Sequence, residues 1–160
     1  MDDVVTVLIV IIVANGAPIL LRRVLGLHLL LPVDFGWCFF DGRPLFGSSK
    51  TWIGLGSILL AGIVAALLLG MELRIGLLIS AGVIGGDLFS SFIKRRLGMK
   101  VSSMAVLLDQ VPESLFPYLL VMDLLELPWR EVGAAVLSFT VFELLISRFL
   151  YWIHIRKQPY

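Results

Sequence analysis

The sequence predicts an all-α integral membrane protein, and three observations carry that expectation. Hydrophobic residues make up 59% of the 160, and charged residues only 16%. Mean hydropathy is +0.98. Several apolar stretches approach the ~20 residues a helix needs to cross a bilayer. An ordinary soluble domain is roughly 45–50% apolar and about 25% charged. Composition therefore argues against a soluble domain, and it excludes disorder, which requires low hydrophobicity and high charge.

Five spans are expected, because lipid forces each crossing segment to satisfy its own backbone hydrogen bonds. The first runs from about Val4 to Leu21, the second from Ile53 to Met71 and the third from Ile75 to Ile93. The fourth is about Met104 to Leu127 and the fifth about Val132 to Ile155. The second is the purest and the fourth the least pure. The chain begins Met1-Asp2-Asp3, which lacks the basic start of a cleaved signal peptide, so the first span is read as retained. No repeat divides the chain, and residues 1–160 are read as one membrane domain.

Charge alternates along the connections. Basic residues gather in the first loop (Arg22, Arg23, Arg43, Lys50), the third connection (Lys94, Arg95, Arg96, Lys100) and the C-terminal end (Arg156, Lys157). Acidic or mixed charge marks the others. Since cytoplasmic loops carry the Lys/Arg excess, the N-terminus is expected outside and the C-terminus inside. The expected location is the cell membrane, crossed several times, with any chemistry facing the cytoplasm. The first loop, about 30 residues from Arg22 to Trp52, is long enough to suggest a function. A net charge of +1 gives no pull toward nucleic acid, and none is expected as a partner. The single Cys38 excludes an internal disulfide and a cysteine-rich metal site.

Polar residues at membrane depth suggest chemistry by default. Asn15 precedes Arg22 by seven residues, Asp87 precedes Lys94 by seven, and Asp109 follows Lys100 by nine. All three are expected roughly 10 Å inside the cytoplasmic ends of their helices. Asp87, Ser90, Ser91 and Lys94 share one helical face by their spacing. Asp109 and Glu113 are one turn apart. Carboxylates from two helices facing a basic rim suit Mg2+ with substrate phosphates. The competing reading is that the aspartates merely pair with Lys94 and Lys100 to neutralise buried charge. The loop Asp41-Gly42-Arg43-Pro44-Leu45-Phe46-Gly47-Ser48-Ser49-Lys50-Thr51-Trp52 has the composition of a phosphate-cradling turn. It is not a Walker A loop, because Ser49 rather than Gly precedes Lys50. An ordinary polar turn is the alternative.

Taken in order, these segments resemble the CDP-archaeol synthase family. Asn15-Gly16-Ala17-Pro18 and the loop 41–52 match its first half; Gly86-Asp87 through Gly98 and Leu107-Leu108-Asp109-Gln110 match its second. The second half is also similar to the phosphatidate cytidylyltransferase signature. The resemblance covers about residues 15–114 and implies a five-helix membrane fold. It also implies a Mg2+-dependent reaction of CTP with an ether-linked glycerol phosphate lipid, yielding a CDP-lipid and pyrophosphate. By resemblance, Asp87 and Asp109 are the metal-binding carboxylates, and Lys94 and Arg95 the basic pair. Ser90 matches a polar position of the signature. Arg43, Gly47, Ser48, Lys50 and Thr51 match the nucleotide loop, and Asn15 the early Asn-Gly. The stretch 109–114 departs from the archaeal pattern. Pro112 stands where an acidic residue is usual, Glu113 follows it, and the segment looks more like bacterial relatives. Glu113 is a candidate to take over the missing role as a further metal ligand. CDP-diacylglycerol synthesis from phosphatidate stays open, as does a non-catalytic membrane carrier or scaffold. Oligomeric state is not legible.

Overall fold

The computed structural model describes residues 2–25 and 31–152. Arg156, Lys157 and the expected end of the fifth span at Ile155 lie outside them. Among the described residues there are five helices and no strands: α1 (Asp3–Leu25), α2 (Trp52–Leu68), α3 (Leu73–Arg96), α4 (Gln110–Val121) and α5 (Trp129–Trp152).

Three of these are long and apolar enough to cross a bilayer: α1, α3 and α5. The protein is a membrane protein. Helix α2 has 17 residues and no charged side chain, a length of roughly 26 Å. Its start is set by Thr51, whose hydroxyl accepts the Gly54 amide at 3.2 Å, a standard helix cap. Gly70 follows its end with φ +79°, a conformation that glycine adopts without penalty.

The fourth expected span is corrected. Helix α4 covers only 12 residues, roughly 18 Å, too short to cross alone. Apolar composition suggested a helix from Met104, but side chains intercept the backbone there. Asp109 Oδ2 accepts the Ala105 amide at 2.9 Å, and Gln110 Oε1 accepts the Leu107 amide at 2.7 Å. Such bonds compete with helical ones. Beyond Val121 the chain turns, with Glu126 at φ +52° shortly before Pro128.

Helix α3 packs on α1, α2 and α4, most extensively on α4. Its small residues allow this. A Cβ on Gly82 would lie 2.5 Å from Pro117 backbone atoms, and one on Gly86 would lie 2.2 Å from the Pro112 carbonyl oxygen. This is the small-residue approach by which membrane helices associate. Across the bundle, the buried Tyr118 hydroxyl donates to the Val4 carbonyl at 2.8 Å, tying α4 to the start of α1. Val7, Val10, Ile11, Ile79, Val83, Val121 and Phe139 fill the interior. Leu60, Leu68, Leu137 and Leu145 point outward, as expected of surfaces that meet lipid.

Candidate active site

The close contact at Gly86 places Asp87 against Glu113. The would-be Gly86 Cβ is 2.7 Å from the Glu113 Cα, and the Glu113 carboxyl lies within hydrogen-bonding reach of Asp87. Any larger residue at position 86 would push these two carboxyls apart. On the other side of Asp87 stands Lys50, brought in by the first loop and ion-paired with Asp87 Oδ1.

One turn or two further along α3, the register puts Ser90, Ser91 and Lys94 on the same inward face, all buried. The Ser90 hydroxyl donates to the Asp87 carbonyl at 3.0 Å. Lys94 Nζ pairs with Asp109 Oδ1 at 2.6 Å and donates to the Ser103 carbonyl at 3.0 Å. Asp109 stands at the start of α4, one turn before Glu113. It reaches this depth through the turns of the 97–109 connection rather than within a helix, which is the consequence of the shortened fourth helix. The structure thus assembles two adjacent ion pairs, Lys50–Asp87 and Lys94–Asp109, with Glu113 beside the first. The expected partner Lys100 pairs with neither aspartate in this arrangement.

The electrostatics centre on Lys50. Burial alone would push its ammonium toward neutrality. The negative charges of Asp87, Glu113 and Asp109 reverse that and hold it above the ordinary lysine range. An ammonium in the field of three carboxylates stays charged.

The first loop is tied down by residues that the sequence did not single out. Asp34 is buried, and its carboxylate accepts three amides. Gly36 donates to Oδ1 at 3.0 Å, while Phe46 and Gly47 donate to Oδ2 at 3.0 and 2.8 Å. Burial pushes this carboxyl up, but the three amides outweigh it and leave it below the usual carboxylate value. The Gly47 amide is therefore satisfied within the loop and is not free to bind an anion. Gly47 has φ +90° and lies against Val101 and Arg95. Its glycine serves a turn and a close approach, not an open cradle.

The other loop candidates are also structurally engaged. Thr51 caps α2. The Arg43 guanidinium donates to the carbonyls of Arg95 and Arg96, capping the end of α3. Ser48 is exposed. Arg95 is buried and donates to the Lys100 carbonyl at 2.8 Å, with its Nε left without a hydrogen-bond partner. Arg96 fastens the loop to α3. It pairs with Asp41 at 2.6 Å, donates to the carbonyls of Arg43 and Pro44, and lies over the Phe39 and Phe92 rings. A hint of Asp34 was present in Asp34-Phe35-Gly36, an Asx-turn pattern. Nothing distinguished Arg96 from its basic neighbours.

Asn15 departs from the expected common depth. Its neighbour Ala14 packs beside Gly62 and Ser80, and Ser80 is seven residues deeper on α3 than Asp87, roughly 10 Å. Helix α1 continues to Leu25, although its apolar span ends at Leu21. Its Nδ2 is buried without a hydrogen-bond partner.

Among the described residues, no three His, Cys, Asp or Glu side chains gather as a ready-made metal cage. The donor set nonetheless suits a hard cation. Asp109 Oδ1 is buried with no hydrogen bond beyond its ion pair, and Asp87 and Glu113 supply further carboxylate oxygens. Mg2+ is usually held by one or two carboxylates, with waters and substrate phosphates completing its shell.

Comparison with known proteins bears directly on this arrangement. The family model for CarS-like CDP-archaeol synthase matches residues 4–160. The chain belongs to the CDP-archaeol synthase family. It is an enzyme. A CDP-archaeol synthase of Hyperthermus butylicus is 42% identical over 104 residues, covering 61% of this chain and 59% of that protein. The CDP-archaeol synthase of Pyrobaculum aerophilum is 33% identical over 153 residues, covering 92% of each. A solved structure described as an intramembrane enzyme for archaeal membrane lipids biosynthesis superposes with a TM-score of 0.71. It is 30% identical and covers 89% of this chain and 90% of that one. The helical architecture of this chain is thus shared with a solved intramembrane enzyme.

Proposed function

We propose that this protein is a CTP-dependent cytidylyltransferase that joins CTP to an ether-linked glycerol phosphate lipid, releasing pyrophosphate and forming a CDP-archaeol-type product. The observation that carries the reading is the half-buried ion pair Lys50–Asp87 beside the buried pair Lys94–Asp109, with Glu113 next to the first, in a chain of this family. Residues 1–160 act as one domain with five crossings, the fourth formed by α4 and its flanking turns. The N-terminus is outside, the C-terminus inside, and the site opens to the cytoplasmic side of the cell membrane.

A lipid phosphate oxygen attacks the α-phosphorus of CTP. The bond from the α-phosphorus to the bridging oxygen breaks, and pyrophosphate leaves. The nucleophile is already an anion, so no strong general base is needed. The obstacle is the approach of one anion to another. Asp87 and Asp109, with Glu113 as a further ligand, would hold Mg2+, which when bound neutralises phosphate charge. Lys50 and Lys94, released from their carboxylates, and Arg95 supply cations for the triphosphate and the leaving group. Ser90 holds the backbone at Asp87. Arg43, Gly47, Ser48 and Thr51 shape the loop that presents Lys50, and the Asn15 amide lies below as a polar floor for the lipid headgroup.

The test is transfer of label from α-labelled CTP into lipid by purified protein in detergent with Mg2+. Parallel reactions contain an unsaturated archaeal ether-lipid phosphate or phosphatidate. Label in the ether lipid is expected. Label only in phosphatidate would move the substrate to the diacyl class. No label in either, with folded protein, would overturn the enzymatic reading in favour of a carrier or scaffold.

A further inference from the structure

The first loop carries an apolar surface that its role near Lys50 does not explain. Phe40 is 99% exposed, Trp37 72% and Phe35 61%. An exposed aromatic cluster on a polar loop marks an interaction surface. The cluster is continuous with the bundle at two places. Phe35 meets Trp52, the first residue of α2, with ring centroids 6.2 Å apart. Phe39 meets Phe40 at 5.0 Å and Phe92, near the end of α3, at 5.4 Å. The loop's aromatic edge therefore bridges the same ends of two membrane helices.

The loop's base is closed, so this edge has a fixed place. Val33 donates to the Lys50 carbonyl at 2.9 Å, and Trp52 donates to the Leu31 carbonyl at 3.1 Å. A second bridge joins Cys38 and Pro44. Charge lies at the rim of the cluster: Arg96 covers one side of Phe39 and Phe92 and is paired with Asp41. Aromatic bodies bordered by a guanidinium suit the headgroup region of a bilayer, where amphipathic rings and long cations settle.

We propose that residues 35–40 form an interfacial wedge, seated among the lipid headgroups and upper acyl chains beside α2 and α3. The wedge holds the loop against the membrane surface, so that Lys50 and its carboxylates sit at the level where a lipid phosphate presents itself. This placement rests on the membrane reading and not on the nucleotide chemistry, so either can fail without the other.

Cys38 is the protein's one cysteine and is exposed at the tip of the loop. It allows a direct measurement. A nitroxide is attached to Cys38 in the full chain reconstituted into phospholipid nanodiscs. Its collision rates with oxygen, which prefers lipid, and with a water-soluble nickel chelate are compared. The reference is a label at Lys100→Cys in a Cys38→Ser background, on the exposed 97–109 connection. The wedge predicts that the Cys38 label favours oxygen by several-fold over the reference, and that Trp37→Ser with Phe40→Ser returns it to the water side. Equal nickel accessibility at both positions would overturn the proposal. So would dipolar broadening between Cys38 labels in two-copy discs that dilution with unlabelled protein removes, because a second copy would then cover the face. In vesicle assays the double variant is expected to raise KM for lipid about tenfold, from the aromatic area it withdraws, while CTP binding stays within twofold of wild type.

Discussion

The helical half of the site and its loop half contrast in how their polar groups are used. On α3 and at the start of α4, Asp87, Lys94, Asp109 and Glu113 face inward and meet one another, Lys50 and the Ser103 and Ala105 backbone. Under the proposed mechanism a cation or a phosphate replaces one partner of each ionic pairing. In the loop 32–51, most polar groups are consumed by the loop itself. Asp34 takes the amides of Gly36, Phe46 and Gly47, Thr51 caps α2, and Arg43 caps α3. Lys50 reaches out of the loop into the carboxylate cluster. A loop rich in Gly, Ser and Thr can thus be built to hold one lysine rather than to wrap a phosphate.

The largest effect should come from the helical carboxylates. Asp87→Asn or Asp109→Asn is expected to lower kcat by about 10³-fold, the scale of losing a metal-supported charge contact. Each change also leaves a lysine without its counter-charge, so thermal midpoints in detergent should fall as well, more for Asp109→Asn, whose partner Lys94 is buried. An activity loss below tenfold would place the chemistry elsewhere.

Gly86→Ala tests the geometry that joins the two helices. Its Cβ would sit 2.2 Å from the Pro112 carbonyl oxygen, and overpacking of this kind costs about 1–3 kcal/mol. The thermal midpoint should fall and activity should drop with it, because Asp87 and Glu113 separate. Gly85→Ala, which would meet only the Phe116 ring at 3.6 Å, is the matched control and should be mild.

Asp34→Ala probes the loop. It leaves the Phe46 and Gly47 amides without their acceptor, at a cost of about 1–3 kcal/mol. Its signature is local: amide hydrogen exchange at Phe46 and Gly47 should accelerate while the helices stay protected. The pH dependence has a definite sign. The carboxyl lies below its ordinary value in the folded loop, so its stabilisation is complete above the unfolded value and fades as pH falls through the folded one. Loop protection should be flat from pH 7 to 5 and weaken only below about pH 4. The smallest effect belongs to Thr51→Ala, about 1 kcal/mol from the lost α2 cap.

Legibility in the sequence followed the same divide. Helical register is periodic, so Asp87, Ser90, Ser91 and Lys94 could be placed on one face from spacing alone, and Asp109 with Glu113 likewise. The partner of Asp87 was not legible. Lys50 arrives from 37 residues away, through a loop whose path is set by Asp34 and Arg96. The fourth helix was overextended because hydropathy does not register side chains that capture backbone amides, as Asp109 and Gln110 do. The depth of Asn15 was counted along α1 from Arg22, and a count along one helix does not register where it meets its neighbours, here Gly62 and Ser80 beside Ala14.

Under the proposed mechanism the carboxylate cluster, and not the loop's own amides and arginine, gathers the nucleotide and its cation. Calorimetric binding of CTP with and without Mg2+ tests it on wild type, Asp87→Asn and Arg43→Gln. Mg2+-dependent binding is expected of wild type, with loss of that dependence in Asp87→Asn and affinity within about fivefold of wild type in Arg43→Gln, a shift of roughly 1 kcal/mol. Undiminished Mg2+-dependent binding by Asp87→Asn, or its abolition by Arg43→Gln alone, would contradict it.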